Sequence, residues 1–304
     1  MQGLIGDASA LAVSGEGTTP AVLAFLEPFQ AERNYLVWSQ LLTSLGNIRS
    51  IFSSSASISA ALKTYTLKLV TPAVEALGWD FTESEDFLTV QLRAQLILAA
   101  GLAGHESIIK EAQKQFAAYT AGDKQAIHPN LRSAVYRIAV TYGGKEAYEA
   151  VKHDFLTTTT VDGKEIALQA LGRVQTTELA TEYFNFLLHS GSVAIQDVHS
   201  GAIALAANSK TRDTLWQLIK KDWSTVKEKL FGNPVVLDRF VRVSLNKFAS
   251  TEVADDIRDF FKDKDNKGYD RSLGIVQDTV RGHADYVKRD QALIEEWLSA
   301  HGYA

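Results

Sequence analysis

Cysteine is absent from the 304 residues, methionine occurs once and proline five times. Without thiols there is no disulfide, no thiolate nucleophile and no Cys-ligated zinc or iron–sulfur centre, so only His, Asp and Glu remain as metal ligands. None of the eight asparagines (Asn34, Asn47, Asn130, Asn185, Asn208, Asn233, Asn246, Asn266) is followed two positions later by Ser or Thr, so no glycosylation acceptor exists. Both absences fit a reducing compartment. Positive charge is also short: 31 Lys and Arg against 36 Asp and Glu leave a net charge of −5. A phosphate backbone finds no electrostatic footprint there, and nucleic acid is excluded as the expected partner. Long hydrophobic runs are missing as well. The most apolar stretch, 96–104, is about half the length that spans a bilayer, and the start lacks the basic residues of a secretory signal. A cytoplasmic chain with no membrane partner is expected.

What is present is helix. The sequence is 46% hydrophobic, enough to bury a large core, and apolar residues recur at helical spacing almost everywhere. Val253, Ile257, Phe260 and Phe261 fall on one face while Asp255, Asp256, Arg258 and Asp259 take the other. Leu237, Phe240, Val241, Leu245 and Phe248 form a second stripe, opened by Asn233-Pro234 as N-cap and first helical residue. Pro20 and Pro129 mark similar starts, whereas Pro72 interrupts a periodic stretch and should kink or split its helix. The only β-branched run, 157–161, has no partner strand and is expected to be a loop closed by an Asp162-Gly163 turn.

About fourteen helices are expected. Segments 131–158, 163–190, 198–225 and 237–264 each read as helix, tight turn, helix, with turn centres at Gly143, Gln175, Ser209 and Ser250 spaced by 32, 34 and 41 residues. This lies in the range of helical-hairpin repeats of the HEAT and armadillo kind. The expected fold is all-α: an α-solenoid, or superhelical bowl, forming a single helical-repeat domain over 1–304. Its helices are less regular over 1–130, pair clearly over 131–264 and close over 269–301. Stacked hairpins produce a concave face suited to an elongated ligand.

The sequence is poor in catalytic signatures. His105-Glu106 starts a zinc-peptidase motif, but Ile109 stands where the second histidine must be. The pair instead suits the first turn of a helix after Gly104. Asp263, Asp265 and Gly268 match three positions of a calcium loop, yet Gly274 replaces its bidentate glutamate, so a solvated turn is expected. Gly143-Gly144 lies between helices and terminates one. Trp216 and Trp223, seven apart, are expected on one helix face within the core, and Lys220, Lys221, Lys227 and Lys229 on a solvated face interleaved with Asp222 and Glu228.

Several stretches together resemble one family. They are Gly3-Leu4 with Asp7 and Leu11-Ala12, Asn34-Tyr35-Leu36-Val37-Trp38 with Leu45-Gly46, and Gly78-Trp79-Asp80. Next come Leu92-Arg93, Ala103-Gly104-His105-Glu106 with Glu111-Ala112 and Phe116, and Leu131-Arg132 with Val135-Tyr136. Gln196-Asp197, Trp216 with Trp223, Phe260-Phe261 and Trp297-Leu298 complete the set. In order and spacing these resemble the C-terminal helical domain of zinc aminopeptidases of the puromycin-sensitive type, most closely its fungal cytosolic branch. The last helices depart from the family, with His283 and Tyr286 where Asn and Trp are more frequent.

The resemblance implies a HEAT-like bowl that packs against a zinc-bearing thermolysin-like catalytic domain and roofs its cavity. It also implies that zinc, its two-histidine, one-glutamate site, the glutamate base and the Gly-x-Met-Glu-Asn segment that anchors a substrate's free amine lie upstream. None of those motifs occurs here, so no catalytic or metal residue is assigned in this chain, and neither peptidase activity nor stoichiometric zinc is expected of it alone. Because the match begins at the family domain's first helix, a C-terminal fragment, or a reading frame lacking the catalytic half, is expected. Two roles compete: an accessory domain that shapes peptide access in an enzyme removing N-terminal amino acids, and an autonomous scaffold holding a protein partner on its concave face. For a peptide cleft the candidates are Arg93, Arg132, Tyr136 and Arg137, since Arg and Tyr can meet a peptide's carboxylate and backbone. The alternative for each is a tie between helices.

Overall fold

A computed structural model describes residues 1–82 and 84–304. Among them are fifteen α-helices and three short 3₁₀ turns, with no strand, so the fold is all-α. The chain divides into two compact units, one of Met1–Ile138 with Asp285–Ala304, the other of Ala139–Ala284.

The first unit holds α1 (Gln2–Ser14), α2 (Thr19–Leu26), α3 (Tyr35–Ile51), α4 (Ala56–Leu77), α5 (Phe87–Ala103) and α6 (Glu106–Thr120). It also takes the start of α7 (Arg132–Thr157) and the end of α15 (Asp270–Ala300). Most of these helices begin where the sequence supplies a cap. Thr18, Asn34, Ser55 and Asp86 each accept backbone N–H groups of the first turn, satisfying donors that have no partner within the helix. Gly104, at φ 104°, ends α5 in the left-handed region, and Glu106 follows in the first turn of α6. Pro72 lies inside α4 without splitting it.

The core of this unit is built from Trp38, Leu41 and Leu45 of α3, Leu62, Tyr65 and Leu69 of α4, and Leu92, Leu96 and Ile97 of α5. Each buried Leu or Ile contributes about 1.5–3 kcal/mol. Polar tips inside the core are satisfied: Trp38 Nε1 donates to Glu32 O at 2.9 Å and Tyr65 Oη to Leu23 O at 2.7 Å. Asp290 of α15 is fully buried and accepts from Thr19 N at 2.7 Å, Thr19 Oγ1 at 2.6 Å and Arg289 Nε at 2.7 Å, while Tyr286 Oη shares Thr19 Oγ1. That network fixes the start of α2 to α15.

The second unit continues α7 and holds α8 (Val161–Leu171), α9 (Thr177–His189), α10 (Val198–Ala207), α11 (Arg212–Lys221), α12 (Trp223–Phe231), α13 (Pro234–Leu245), α14 (Thr251–Phe261) and the start of α15. Breaks fall at three of the four expected turn centres, and α7 bends one residue after the fourth, at Gly144, whose φ of 58° and ψ of −142° no helical residue adopts. Asn233 caps α13 ahead of Pro234, and Ser250 caps α14.

Helix α10 packs against both α8 and α13. Close packing is possible because Gly172, which ends α8, has no side chain: a Cβ there would sit 2.3 Å from Ala204 Cβ and 2.8 Å from the Ala204 carbonyl carbon. The junction is then locked by polar groups. Buried Asn208 donates to Gly172 O at 3.2 Å and Val174 O at 2.6 Å, Thr211 Oγ1 to Leu205 O at 2.9 Å and Arg212 Nε to Ala206 O at 2.8 Å. These side chains satisfy helix-end carbonyls that would otherwise be orphaned.

Three local expectations are corrected. Asp162-Gly163 is not a turn but the first turn of α8; Thr160 caps it by accepting from Gly163 N, and Asp162 suits the positive helix start. The break occupies only 158–160. Trp216 and Trp223 do not share a helix, because α11 ends at Lys221 and Trp223 opens α12; both nevertheless pack on Phe260 and Phe261 of α14. The lysines nearby are not a merely solvated face: Lys220 pairs with Asp256, Lys227 with Asp265, and Lys229 donates to Leu188 O.

No single helix among the described residues is long and apolar enough to cross a membrane; α5 and α6 would qualify only together, and they are bent by 110°.

Gly172→Ala is expected to destabilise the protein by about 2–3 kcal/mol, because backbone rather than a flexible side chain must give way. Asp290→Ala, which strands the buried Thr19 N–H, is expected to cost about 3 kcal/mol. Urea unfolding followed by circular dichroism measures both, and a shift below 0.5 kcal/mol for either contradicts the packing described.

Candidate functional site

The four peptide-cleft candidates lie in the first unit and separate into two environments. Arg93 is on α5 with only 3% of its surface exposed. Its Nε and Nη2 each donate to Leu77 O, the last carbonyl of α4, at 3.3 Å, and Nη1 and Nη2 grip both carboxylate oxygens of Glu85. This bidentate fork is the strongest geometry available to arginine. It holds the Glu85 carboxyl below the ordinary glutamate range. Above the guanidinium, 4.4 Å away, lies the Phe81 ring, which stacks on His128 at 3.8 Å between centroids and 16° between planes. Arg93 thus joins the end of α4, the segment before α5 and the entry to α7.

Arg132 and Tyr136 are drawn together elsewhere, around Tyr119 at the end of α6. Tyr136 is 1% exposed and meets Phe116 and Tyr119 edge to face at 5.6 and 5.9 Å. Arg132 is half-buried, with its guanidinium 5.9 Å from the Tyr119 ring, and its Nε is buried without a hydrogen-bond partner. Lys124 adds its ammonium 3.9 Å from the same ring. Neither Lys124 nor Arg132 forms an ion pair among the described residues. Arg137, one residue beyond Tyr136, is half-buried. The result is an aromatic ledge bearing two cations, of a chemistry that attracts a carboxylate or a peptide carbonyl.

Tyr119, Lys124, Phe81 and His128 were not singled out from the sequence. Phe116 and Tyr119 carried a signal in their i, i+3 spacing on an amphipathic helix; Lys124 and Phe81 lie in irregular segments, where periodicity says nothing.

Two other features bear on chemistry. A half-open cavity of about 420 Å³ is lined by residues of α1 and α3 with Val22 and Tyr286, and its lining contains no charged side chain. No cluster of three or more His, Asp or Glu side chains that could hold a metal ion is found among the described residues.

Against known proteins the chain is matched over nearly its whole length. It is 30% identical over 302 residues to "Aminopeptidase 2, mitochondrial" of Saccharomyces cerevisiae, covering 99% of this chain and 32% of that protein. It is equally 30% identical over 303 residues to "Aminopeptidase 2" of Candida albicans, covering 99% of this chain and 33% of the relative. Rat "Glutamyl aminopeptidase" is 25% identical over 272 residues, covering 89% of this chain and 28% of that enzyme. The chain therefore spans about a third of the length of the relatives it matches.

Arg93→Met is expected to flatten part of the acid dependence of stability. The folded-state pKa of Glu85 is depressed, so the Arg93–Glu85 contribution is complete above the ordinary glutamate range and is lost as pH falls through the depressed value. Denaturation midpoints measured from neutral pH downward should fall less steeply in the variant; parallel curves would contradict the assignment. With residues 2–282 matching its family model, the chain belongs to the ERAP1-like C-terminal domain family.

Proposed function

We propose that this chain is the non-catalytic C-terminal portion of a zinc aminopeptidase. In this role it is a HEAT-like helical repeat that caps the active-site cavity and shapes how peptides reach a metal held by a thermolysin-like domain. Support comes first from the match to aminopeptidases over 99% of the chain but only about a third of theirs. The aromatic ledge adds chemical support. Peptides present carbonyls and a terminal carboxylate, and Lys124 and Arg132 offer cations that form no ion pair among the described residues. Tyr136 acts as the frame that holds this ledge and Arg137 extends it, while Arg93 ties the segment that leads into α7. The zinc and its ligands belong to the catalytic partner domain. The cysteine-free, sequon-free composition favours the cytoplasm, although the name of one relative includes the word mitochondrial.

The isolated chain is expected to release no fluorophore from Ala- or Lys-aminoacyl substrates, and hydrolysis abolished by a chelator would overturn the proposal. In an enzyme containing the chain, the double substitution Lys124→Ala, Arg132→Ala should raise KM for peptides of eight or more residues by about tenfold, the loss of one charge-assisted contact. Turnover of a single aminoacyl amide should be unchanged. Equal effects on both substrates would remove the ledge from peptide handling and leave an autonomous scaffold as the better account.

A further inference from the structure

The half-open cavity of the first unit has a floor and a mouth of different character. Ile48 and Ile51 of α3, Val22 of α2 and Tyr286 of α15 are buried and form an apolar floor. Ala10 of α1 and Asn47 of α3 are exposed and stand at the mouth. Its volume of about 420 Å³ falls in the range of small-molecule sites and far exceeds the voids left by ordinary packing. Helix α1 keeps it open because residues it contributes, Gly6, Ser9 and Ala10, are small. Three contacts hold Tyr286 in place. Its hydroxyl is bonded to Thr19 Oγ1 at 2.6 Å, its ring meets Phe52 edge to face at 5.1 Å, and the Arg289 guanidinium lies 5.0 Å from the ring centroid. The floor is therefore preformed, which lowers the cost of ordering it around a ligand.

Ser44 is 3% exposed and lines this cavity. Its Oγ accepts from Gln40 Nε2 at 3.3 Å, and no acceptor for its own proton is found among the described residues. A buried donor left unmade is costly. Gln40 lines the cavity as well, and no donor to its carbonyl oxygen is found among the described residues. The pair thus presents one free donor beside one free acceptor, and exchanging the oxygen and nitrogen of the Gln40 amide leaves the same count. A carboxamide is the complement, because its oxygen accepts from a hydroxyl while its N–H donates to a carbonyl. The other hydroxyls nearby are engaged, Tyr286 with Thr19 and Ser9 Oγ with Ile5 O at 2.9 Å. With no charged side chain in the lining, a charged ligand would lose hydration without gaining an ionic partner.

We propose that this cavity binds a small neutral molecule with an apolar body and a carboxamide, the amide held by Ser44 and Gln40 and the body packed on Ile48, Ile51 and Tyr286. The site uses helices other than those of the aromatic ledge and has the opposite preference, since the cations of the ledge attract carboxylates. Its existence does not depend on the aminopeptidase role, because it is read by binding to this chain alone.

Titration followed by NMR tests it with two probes that share one skeleton, 3-phenylpropanamide and 3-phenylpropanoate, at concentrations up to about 10 mM, which covers the affinity of ligands this small. The expected result is saturable binding of the amide, with the carboxylate weaker by about tenfold or more. Ser44→Ala should weaken the amide about fivefold, the loss of one hydrogen bond. Ala10→Trp, which fills the mouth, should weaken it by about tenfold or more, whereas Lys124→Ala with Arg132→Ala should leave it unchanged. Because Ala10 is exposed, that variant carries the test should Ser44→Ala fail to fold, and circular dichroism checks the helical content of both. No saturable binding of the amide, a carboxylate that binds as tightly, or an affinity indifferent to Ala10→Trp would overturn the proposal.

Discussion

A protein of helices alone, with no sheet and no disulfide, can be held together only by burying the apolar stripe of each helix against another, and crossings are limited by the smallest residues that meet there. In the second unit that limit is Gly172 against Ala204 and Leu205. Because α8 and α10 touch backbone to side chain, the ends of both helices come within reach of one asparagine, one threonine and one arginine, which satisfy their last carbonyls. The first unit is tied by a carboxylate instead: Asp290 reaches the first turn of α2 and satisfies a buried backbone N–H that the helix cannot.

Much of this was legible in the sequence because it is local. Helix periodicity, the cap at Asn233, the stop at Gly104 and the breaks at Gln175, Ser209 and Ser250 depend on neighbours within a few positions. Where expectation failed, two local signals competed. Asp162-Gly163 has turn chemistry, but Thr160 offers a cap three residues before the Gly163 N–H, and the helix began there. The heptad spacing of Trp216 and Trp223 suggested one helix, yet the chain breaks at Asp222 and both rings still reach the same pair of phenylalanines. Spacing reported the shared core correctly and the shared helix wrongly.

The candidate site was less legible, since it depends on segments far apart in the chain. Arg93 was chosen for its chemistry, but the residues that occupy its fork, Glu85 and Leu77, come from the loop before α5 and the end of α4. Tyr119 unites Arg132, Tyr136 and Lys124 only because α6 returns beside the entry to α7.

The central proposal is that this chain supplies the helical third of an aminopeptidase without supplying its chemistry. The most direct measurement mixes the purified chain with a homologous aminopeptidase from which the matched third has been deleted, and follows both association by analytical ultracentrifugation and hydrolysis of a peptide substrate. The account predicts a one-to-one complex whose peptide turnover rises well above that of the truncated enzyme alone. Two species that sediment independently, with turnover unchanged by the chain, would contradict it.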